Sequence, residues 1–166
     1  MNLTKLSAVA EIISSVAIVL TLVYLAVQTQ QNTLAIQASV RQDMLDSDRS
    51  LLFLQAENPE ITVARETDSD LTDEDAVRLG SYLVAVVRVR ENQWLQYQNG
   101  VIDERTWLTY RSPILAVFSN ERTRMWWRNR TANGEFDQGF VDMVNQLMAD
   151  SPLRPARSLM EAMGFE

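Results

Sequence analysis

Polar side chains recur at three- and four-residue spacing through an otherwise apolar N-terminal stretch. On a helix that turns 100° per residue, this spacing places them on one face. The set includes a carboxylate, hydroxyls and a carboxamide, so it can hydrogen-bond to a neighbouring helix in lipid or line a path for ions. The eight positions of this face, called the membrane seam, are Thr4, Ser7, Glu11, Ser14, Ile18, Thr21, Leu25 and Gln28.

The membrane seam supports two functional hypotheses. In the first, small and hydroxyl side chains let helices approach closely, either between copies of this chain or with a helix of a larger membrane complex. In the second, an oligomer encloses an ion pathway, although Ile18 and Leu25 would constrict it. The residues that would line this pathway are Glu11, Ser14, Thr21 and Gln28.

Glu11 is the only charged residue between Leu6 and Val27. A carboxylate inside the hydrocarbon region costs about 2.5–3.5 kcal/mol on insertion scales, so it needs a partner, water or a proton. One interpretation is a ring of carboxylates at the centre of an oligomer. The other, which its position near the N-terminus favours, is that Glu11 reaches water at the headgroups.

Other kinds of chemistry are poorly provided for. The chain has 166 residues with no histidine and no cysteine, which excludes disulfides, thiolate nucleophiles, imidazole bases and Glu-x-x-His di-iron sites. The acidic stretch 66–75 lacks the ligand register of a calcium loop and is typical of a solvated connector, with weak binding of divalent cations as the alternative. The sequence therefore predicts no enzyme, no cofactor and no metal site.

An arginine- and tryptophan-rich segment, "RTRMWWRNR", is the second candidate site. The net charge of −7 makes nucleic acid an unlikely partner, because phosphate contacts require surplus positive charge. The segment could contact lipid headgroups or a neighbouring subunit. The favoured alternative is packing, with one tryptophan in the core and the arginines paired to acidic groups. Its residues are Arg122, Arg124, Trp126, Trp127, Arg128 and Arg130.

The element that must carry the seam is a helix long enough to cross a membrane. The apolar stretch from Leu6 to Val27 covers about 30 Å at helical rise, which matches a bilayer core. A soluble core helix is the main alternative. A signal peptide is less favoured, because the residues around Val27 lack a pair of small residues at a cleavage site. Bulky side chains face away from the seam: Val9, Ile12, Ile13, Val16, Val19, Leu20, Val23 and Val27.

These features predict a single-pass protein of a bacterial inner (cytoplasmic) membrane, with membrane lipid as one partner and residues 1–30 as the transmembrane part. Orientation depends on basic residues near the span. Lys5 and the terminal amine flank one end, whereas Arg41 at the other end lies among acidic residues. The difference slightly favours an N-terminus on the inside and leaves the side of the soluble domain open.

Residues 31–166 are predicted to form a helical-bundle soluble domain, and the first helix is predicted to run unbroken to about Glu57. No glycine or proline precedes Pro59, which supports that length. An amphipathic face of Ile36, Val40, Met44, Leu51 and Leu54 would pack on the domain. The capping residues Thr72, Asp103 and Asn120 predict three further helices, and a fourth is expected near residues 137–149. Pro113 is expected to start a new turn. The helix after Thr72 is expected to bury Ala76, Leu79, Leu83, Val86, Trp94 and Tyr97.

The N-terminal stretch "LSAVAEIISSVAIVLTLVYLAVQTQQNT", followed by "QYQNGVIDERTW" and an arginine-flanked "WW", resembles a widespread set of uncharacterised small bacterial proteins. The resemblance covers most of the chain in outline, and its specific part is the N-terminal segment. It implies one N-terminal transmembrane helix followed by an all-helical domain. It implies no catalytic residues, because that group has no assigned activity.

Overall fold

The computed structural model describes residues 3–67 and 70–153 together with residues 161 and 164; the surroundings of side chains are described from Ser7 onward, except for residue 8. Within these ranges, the secondary structure consists of six α-helices and no β-strand, so the fold is all-α. The helices divide between two compact units, Met1–Val40 and Arg41–Glu166.

The first helix, α1, runs from Leu3 to Glu57. The helix stops before Asn58, whose φ of −129° lies outside the helical region, as expected for a residue that precedes proline. The predicted unbroken first helix is therefore confirmed. Residues 3–40 of α1 belong to the first unit and residues 41–57 to the second.

The second unit adds five helices, and the described residues just before four of them act as side-chain caps. The helices are α2 (Pro59–Glu66), α3 (Asp73–Gln98), α4 (Glu104–Val117), α5 (Glu121–Thr131) and α6 (Gln138–Ala149). In each capped case, a side-chain oxygen accepts a hydrogen bond from the backbone N–H three residues later, which satisfies one of the free donors of the first turn. The caps are Thr72 for α3, Asp103 for α4, Asn120 for α5 and Asp137 for α6.

The core of the second unit is built around Trp127, which is fully buried. The centre of its ring system lies 5.0 Å from that of Phe118, 5.4 Å from that of Phe136 and 6.2 Å from that of Phe140. Aromatic pairs at these separations add to the free energy gained from burial alone. The cluster joins side chains from α5 and α6 and from the segments that follow α4 and α5.

Two expectations about the later helices are wrong. Pro113 does not start a new turn but lies inside α4. Proline inside a helix costs about 3 kcal/mol, but Ile114 and Val117 just beyond it are buried, and burying such side chains can offset that cost. Ala76, expected in the buried stripe of α3, is exposed, whereas Leu79 is buried.

The predicted packing face of α1 is only partly correct. Met44 is buried, and Val40 and Leu51 are half-buried, but Ile36 is 58% exposed and Leu54 is 39% exposed. At 100° per residue, Ile36 and Leu54 lie roughly 60–80° from the direction of Met44 and Leu51, at the edge of the face.

Candidate functional site

The membrane seam lies on the part of α1 that belongs to the first unit. Every described side chain of α1 between Ser7 and Ile36 is exposed, so seven of the seam residues, from Ser7 to Gln28, are exposed. The eighth, Thr4, is helical, but its side chain lies outside the described residues. The described part of the seam is therefore accessible on one helix and includes two large apolar side chains, Ile18 and Leu25, besides its small and polar ones.

Hydroxyl groups on this part of α1 bond back to the helix that carries them. Thr21 donates its hydroxyl to the carbonyl oxygen of Ala17 at 2.8 Å, and Ser15 and Thr29 make the same bond to carbonyls four residues earlier at 2.8 Å. A hydroxyl bonded in this way has a partner without water, which makes it tolerable in hydrocarbon. Its oxygen keeps a lone pair with which it can accept a bond from a neighbouring helix.

The bulky face of the same segment is equally uncovered. Among the described residues, α1 is the one helix that is long and apolar enough to cross a membrane, and none of its most apolar window is buried. Isolated exposed apolar residues are normal on a soluble protein, whereas a large contiguous patch marks a membrane or protein interaction site. The exposed members include Val9, Ile12, Ile13, Val16, Val19, Leu20, Val23 and Val27, at 47–64%.

The arginine- and tryptophan-rich segment forms most of α5, and the structure places Trp127 in the core. Its indole Nε1 donates a hydrogen bond to Oδ1 of Asn145 at 2.9 Å. Trp126 is only half-buried, and the guanidinium of Arg130 lies 5.8 Å from the centre of its ring system. The two neighbouring tryptophans thus have different surroundings, as the packing alternative predicts.

The four arginines of this segment fall into two pairs. Arg122 donates to the carbonyl oxygens of Ala64 and Thr67, and Arg124 donates to those of Phe118 and Ser151. Arg128 pairs with Glu121 at 2.6 Å and Arg130 with Glu135 at 3.0 Å. Through their bonds to backbone carbonyls, Arg122 and Arg124 tie separate segments of the chain together. Contacts with headgroups or a neighbouring subunit stay a prediction.

A cluster of polar side chains is buried between α1 and α3 within the second unit. Nη1 of Arg90 donates to Oδ1 of Asp48 at 2.8 Å and to Oε1 of Gln93 at 2.8 Å, and Nε2 of Gln93 donates to the same Asp48 oxygen at 3.3 Å. Arg90 and Gln93 are almost inaccessible, whereas the Asp48 side chain is 26% exposed. The network binds one carboxylate on α1 to two residues one helical turn apart on α3.

Three further features lie in or beside this polar cluster. Nε of Arg90 is buried, and within the described ranges it has no hydrogen-bond partner. A small cavity of about 10 Å³, lined by Arg90 and apolar side chains that include Val86 and Phe140, lies beside it. Partial burial, followed by the negative charge of Asp48, raises the pKa of the nearby Tyr110 hydroxyl.

The described residues of the second unit line two open grooves. One lies between α3 and α5 and is lined by Ala76, Val77, Gly80, Ser81, Val84, Trp126 and Arg130. The other lies between α4 and residues 41–45 of α1 and contains Arg41, Asp103, Thr106 and Tyr110. Within the described ranges, no group of three or more acidic side chains is arranged to hold a metal ion.

The buried cluster of Asp48, Arg90 and Gln93 was not predicted from the sequence. The one available signal was the spacing of Arg90 and Gln93, which places both on the apolar face of α3 that also carries Val86 and Val87. No protein-family model matches this chain, and comparisons with curated proteins and with solved structures find no match.

Proposed function

We propose that this protein is a single-pass membrane protein that assembles through the membrane seam of α1, with its helical second unit in water. The observation that supports the proposal is the exposure of an aliphatic helix face, at 47–64% for each side chain, on a helix whose Ser15 and Thr21 hydroxyls are bonded to its own carbonyl oxygens. From Val9 to Val27, α1 covers about 28 Å at helical rise, close to the thickness of a hydrocarbon core. Lipid tails are the natural solvent for such a surface.

Self-association follows from the composition of the seam. In lipid there is no hydrophobic driving force between helices, so close packing and hydrogen bonds between small and hydroxyl side chains determine which faces meet. Ser7, Ser14 and Thr21 provide such side chains on one side of α1, whereas bulky aliphatic residues occupy the other side. Copies inserted in the same membrane would therefore meet through the seam.

The membrane part of the proposal is tested by extracting membranes with alkaline carbonate, which removes peripheral proteins. The full chain is expected to stay in the membrane pellet. The double variant Val16→Asp with Val23→Asp is expected to appear in the supernatant, because charges at the bilayer centre oppose insertion. The control is Val77→Asp with Met125→Asp, which adds the same charge at exposed apolar positions of the second unit. Release of the unaltered chain would contradict membrane insertion.

The assembly part is tested by disulfide cross-linking in isolated membranes, because the natural chain has no cysteine and single-cysteine variants are unambiguous. Ser14→Cys and Thr21→Cys are expected to form dimers. The matched controls, Ile13→Cys and Leu20→Cys, lie one residue away and 100° around the helix. Equal yields at seam and control positions would remove the basis for seam-directed self-association. Dimer-free membranes with a co-purifying chain would instead favour an accessory subunit of a larger complex.

An ion pathway is the second candidate function, and the exposure of Glu11, Ser14, Thr21 and Gln28 on one helix face supports it. Ile18 and Leu25 lie on the same face, which favours a closed bundle over a wide hydrated pore. The pathway requires that the purified chain conducts ions across planar bilayers and that Glu11→Gln reduces this conductance. Absence of conductance from cross-linked oligomers would eliminate it.

A further inference from the structure

Residues 41–57 of α1 present a second uncovered face, on the second unit. Leu45, Leu52 and Phe53 are 53%, 66% and 61% exposed. The side chains of Asp46 and Arg49 between them are 53% and 65% exposed. We call this surface the outer face of α1; its residues are Gln42, Leu45, Asp46, Arg49, Leu52 and Phe53.

The outer face lies opposite the side of α1 that the second unit covers. Met44 is buried and Leu51 and Gln55 are half-buried, and at 100° per residue these three lie roughly 125–165° from the mean direction of the outer face. The helices of the second unit therefore cover one side of this segment and leave most of the other side exposed, although Leu45 also lines the open groove beside α4. Three large apolar side chains clustered on a helix face in water are a typical interaction surface.

Charge on the outer face is self-complementary. Nη1 of Arg49 lies 3.4 Å from Oδ1 of Asp46, and the amide of Gln42 donates to the same carboxylate at 3.2 Å. Because both ends of this ion pair are exposed, the pair can be exchanged with an identical pair on a second copy at little desolvation cost. A surface that carries one positive and one negative group beside apolar side chains fits a copy of itself.

Four of the six outer-face residues continue the spacing of the membrane seam along the sequence, and Leu45 and Leu52 lie beside that series. Counted along the sequence beyond Gln28, the same three- and four-residue spacing selects Asn32, Ala35, Ser39, Gln42, Asp46, Arg49 and Phe53. No glycine or proline interrupts this count, and all seven of these side chains are exposed. On a straight helix such a seven-residue repeat drifts by about 20° per heptad, so the series stays on one side only where two parallel helices wind around each other in a left-handed supercoil. Copies that meet through the seam in a membrane run parallel, so such a supercoil would bring the same residues of each chain level with one another.

We infer that the outer face of α1 binds the outer face of a second copy of this chain, in parallel, outside the membrane. The inference rests on the proposed self-association through the membrane seam and extends it to the water-exposed part of the helix. Arg49 of one copy pairs with Asp46 of the partner subunit, and the apolar side chains of Leu45, Leu52 and Phe53 pack around this exchanged pair. The competing possibility is that the outer face contacts a lipid surface, and the test must distinguish this from contact between two copies.

Single-cysteine variants of the full chain in isolated membranes test the contact. Gln42→Cys and Phe53→Cys are expected to give more disulfide-linked dimer than their neighbours Asp43→Cys and Leu54→Cys, which are also exposed but lie 100° around the helix. Equal yields within each pair would overturn the inference. Faster labelling of Gln42→Cys and Phe53→Cys by a lipid-borne thiol reagent, with no dimer, would place the face on the membrane surface and overturn it as well.

A charge exchange makes the test specific. Both substitutions are made in the Phe53→Cys background. Asp46→Arg leaves two positive groups on the outer face, and Arg49→Asp leaves two negative groups. Because two copies of the same variant then repel each other, each variant alone is expected to form roughly fivefold less dimer. A mixture of the two differently tagged variants places opposite charges face to face, and mixed dimers are expected to exceed either like-with-like dimer. A statistical mixture would show that the charges are not in contact.

Thr21→Cys with its control Leu20→Cys separates this inference from the proposed function. Dimers at Thr21 without a preference at Gln42 and Phe53 would refute the outer-face contact and leave the membrane assembly intact. A preference at Gln42 and Phe53 without one at Thr21 would refute the membrane seam and support the outer-face contact. Absence of dimers at every position would refute both.

Discussion

Removing one partner of the buried Asp48–Arg90 ion pair is expected to destabilise the second unit strongly. Asp48→Leu leaves the guanidinium of Arg90, whose side chain is 10% exposed, with Gln93 as its remaining acceptor among the described residues. Breaking a buried pair in this way costs about 3–5 kcal/mol. Since the Asp48 side chain is 26% exposed and water can replace part of its bond, the expected cost lies near the lower limit, about 3 kcal/mol. Arg90→Met leaves the more accessible Asp48 carboxylate unpaired and is expected to cost about 2 kcal/mol.

The double variant, Asp48→Leu with Arg90→Met, replaces the pair by apolar side chains, which by itself is close to neutral. Because the buried amide of Gln93 then loses its bonds to both residues, a cost of about 2 kcal/mol is expected rather than the sum of about 5 kcal/mol. Urea unfolding of the full chain in detergent, followed by tryptophan fluorescence, measures these values, because all four tryptophans lie in the second unit. The exposed Arg128–Glu121 pair is the matched control, with a coupling of less than about 0.5 kcal/mol. Additive effects of the two buried substitutions would refute the reasoning.

Three further results are expected. Thr72→Ala removes the cap of α3 and should lower the free energy of unfolding by about 1 kcal/mol, whereas Thr72→Ser should retain most of it. Trp127→Phe removes buried volume and a hydrogen bond and should cost about 2 kcal/mol, against less than about 1 kcal/mol for Trp126→Phe, whose side chain is only half-buried. Hydrogen bonds from the hydroxyl and backbone N–H of Thr106 hold the pKa of Asp103 in the folded protein below its ordinary value. The ionised Asp103 cap therefore stabilises the folded state at any pH above the pKa of this carboxyl in the unfolded chain. This stabilisation is lost as the pH falls through the lower pKa of the folded state. An NMR titration should show the pKa of Asp103 rising toward its ordinary value in Thr106→Val; an unchanged pKa would argue against the hydroxyl as the main cause.

Most helix boundaries could be predicted because they depend on local chemistry. Thr72, Asp103 and Asn120 each cap a helix through an N–H only three residues away, so the signal lies within a few residues of sequence. The end of α1 before Pro59 is equally local. Pro113 was misjudged because its tolerance inside α4 depends on the burial of Ile114 and Val117 against other helices, which is a tertiary effect.

The membrane seam could be predicted as a pattern, but the outer face could not. The seam stands out because polar residues are rare among aliphatic ones, whereas Asp46 and Arg49 are ordinary in a charged segment. The sequence of residues 41–57 does not show which side of the helix stays uncovered, because this depends on the tertiary contacts of Met44 and Gln55. The helical spacing of apolar residues predicts Leu54 on the packing face, but this side chain is exposed in the structure.

The way residues 41–57 attach to the rest of the second unit gives these polar groups their importance. Met44 is the one fully buried apolar side chain in this segment, and the specific bonds to other helices come from Asp48, Gln55 and Arg41. Apolar burial is non-directional and tolerates slippage along a helix, whereas a carboxylate bonded to Arg90 and Gln93 fits one register. The Asp48 cluster therefore fixes which side of α1 the second unit covers. By doing so, it also determines that Asp46, Arg49 and Phe53 remain on the free side, which is the side of the proposed contact with a second copy.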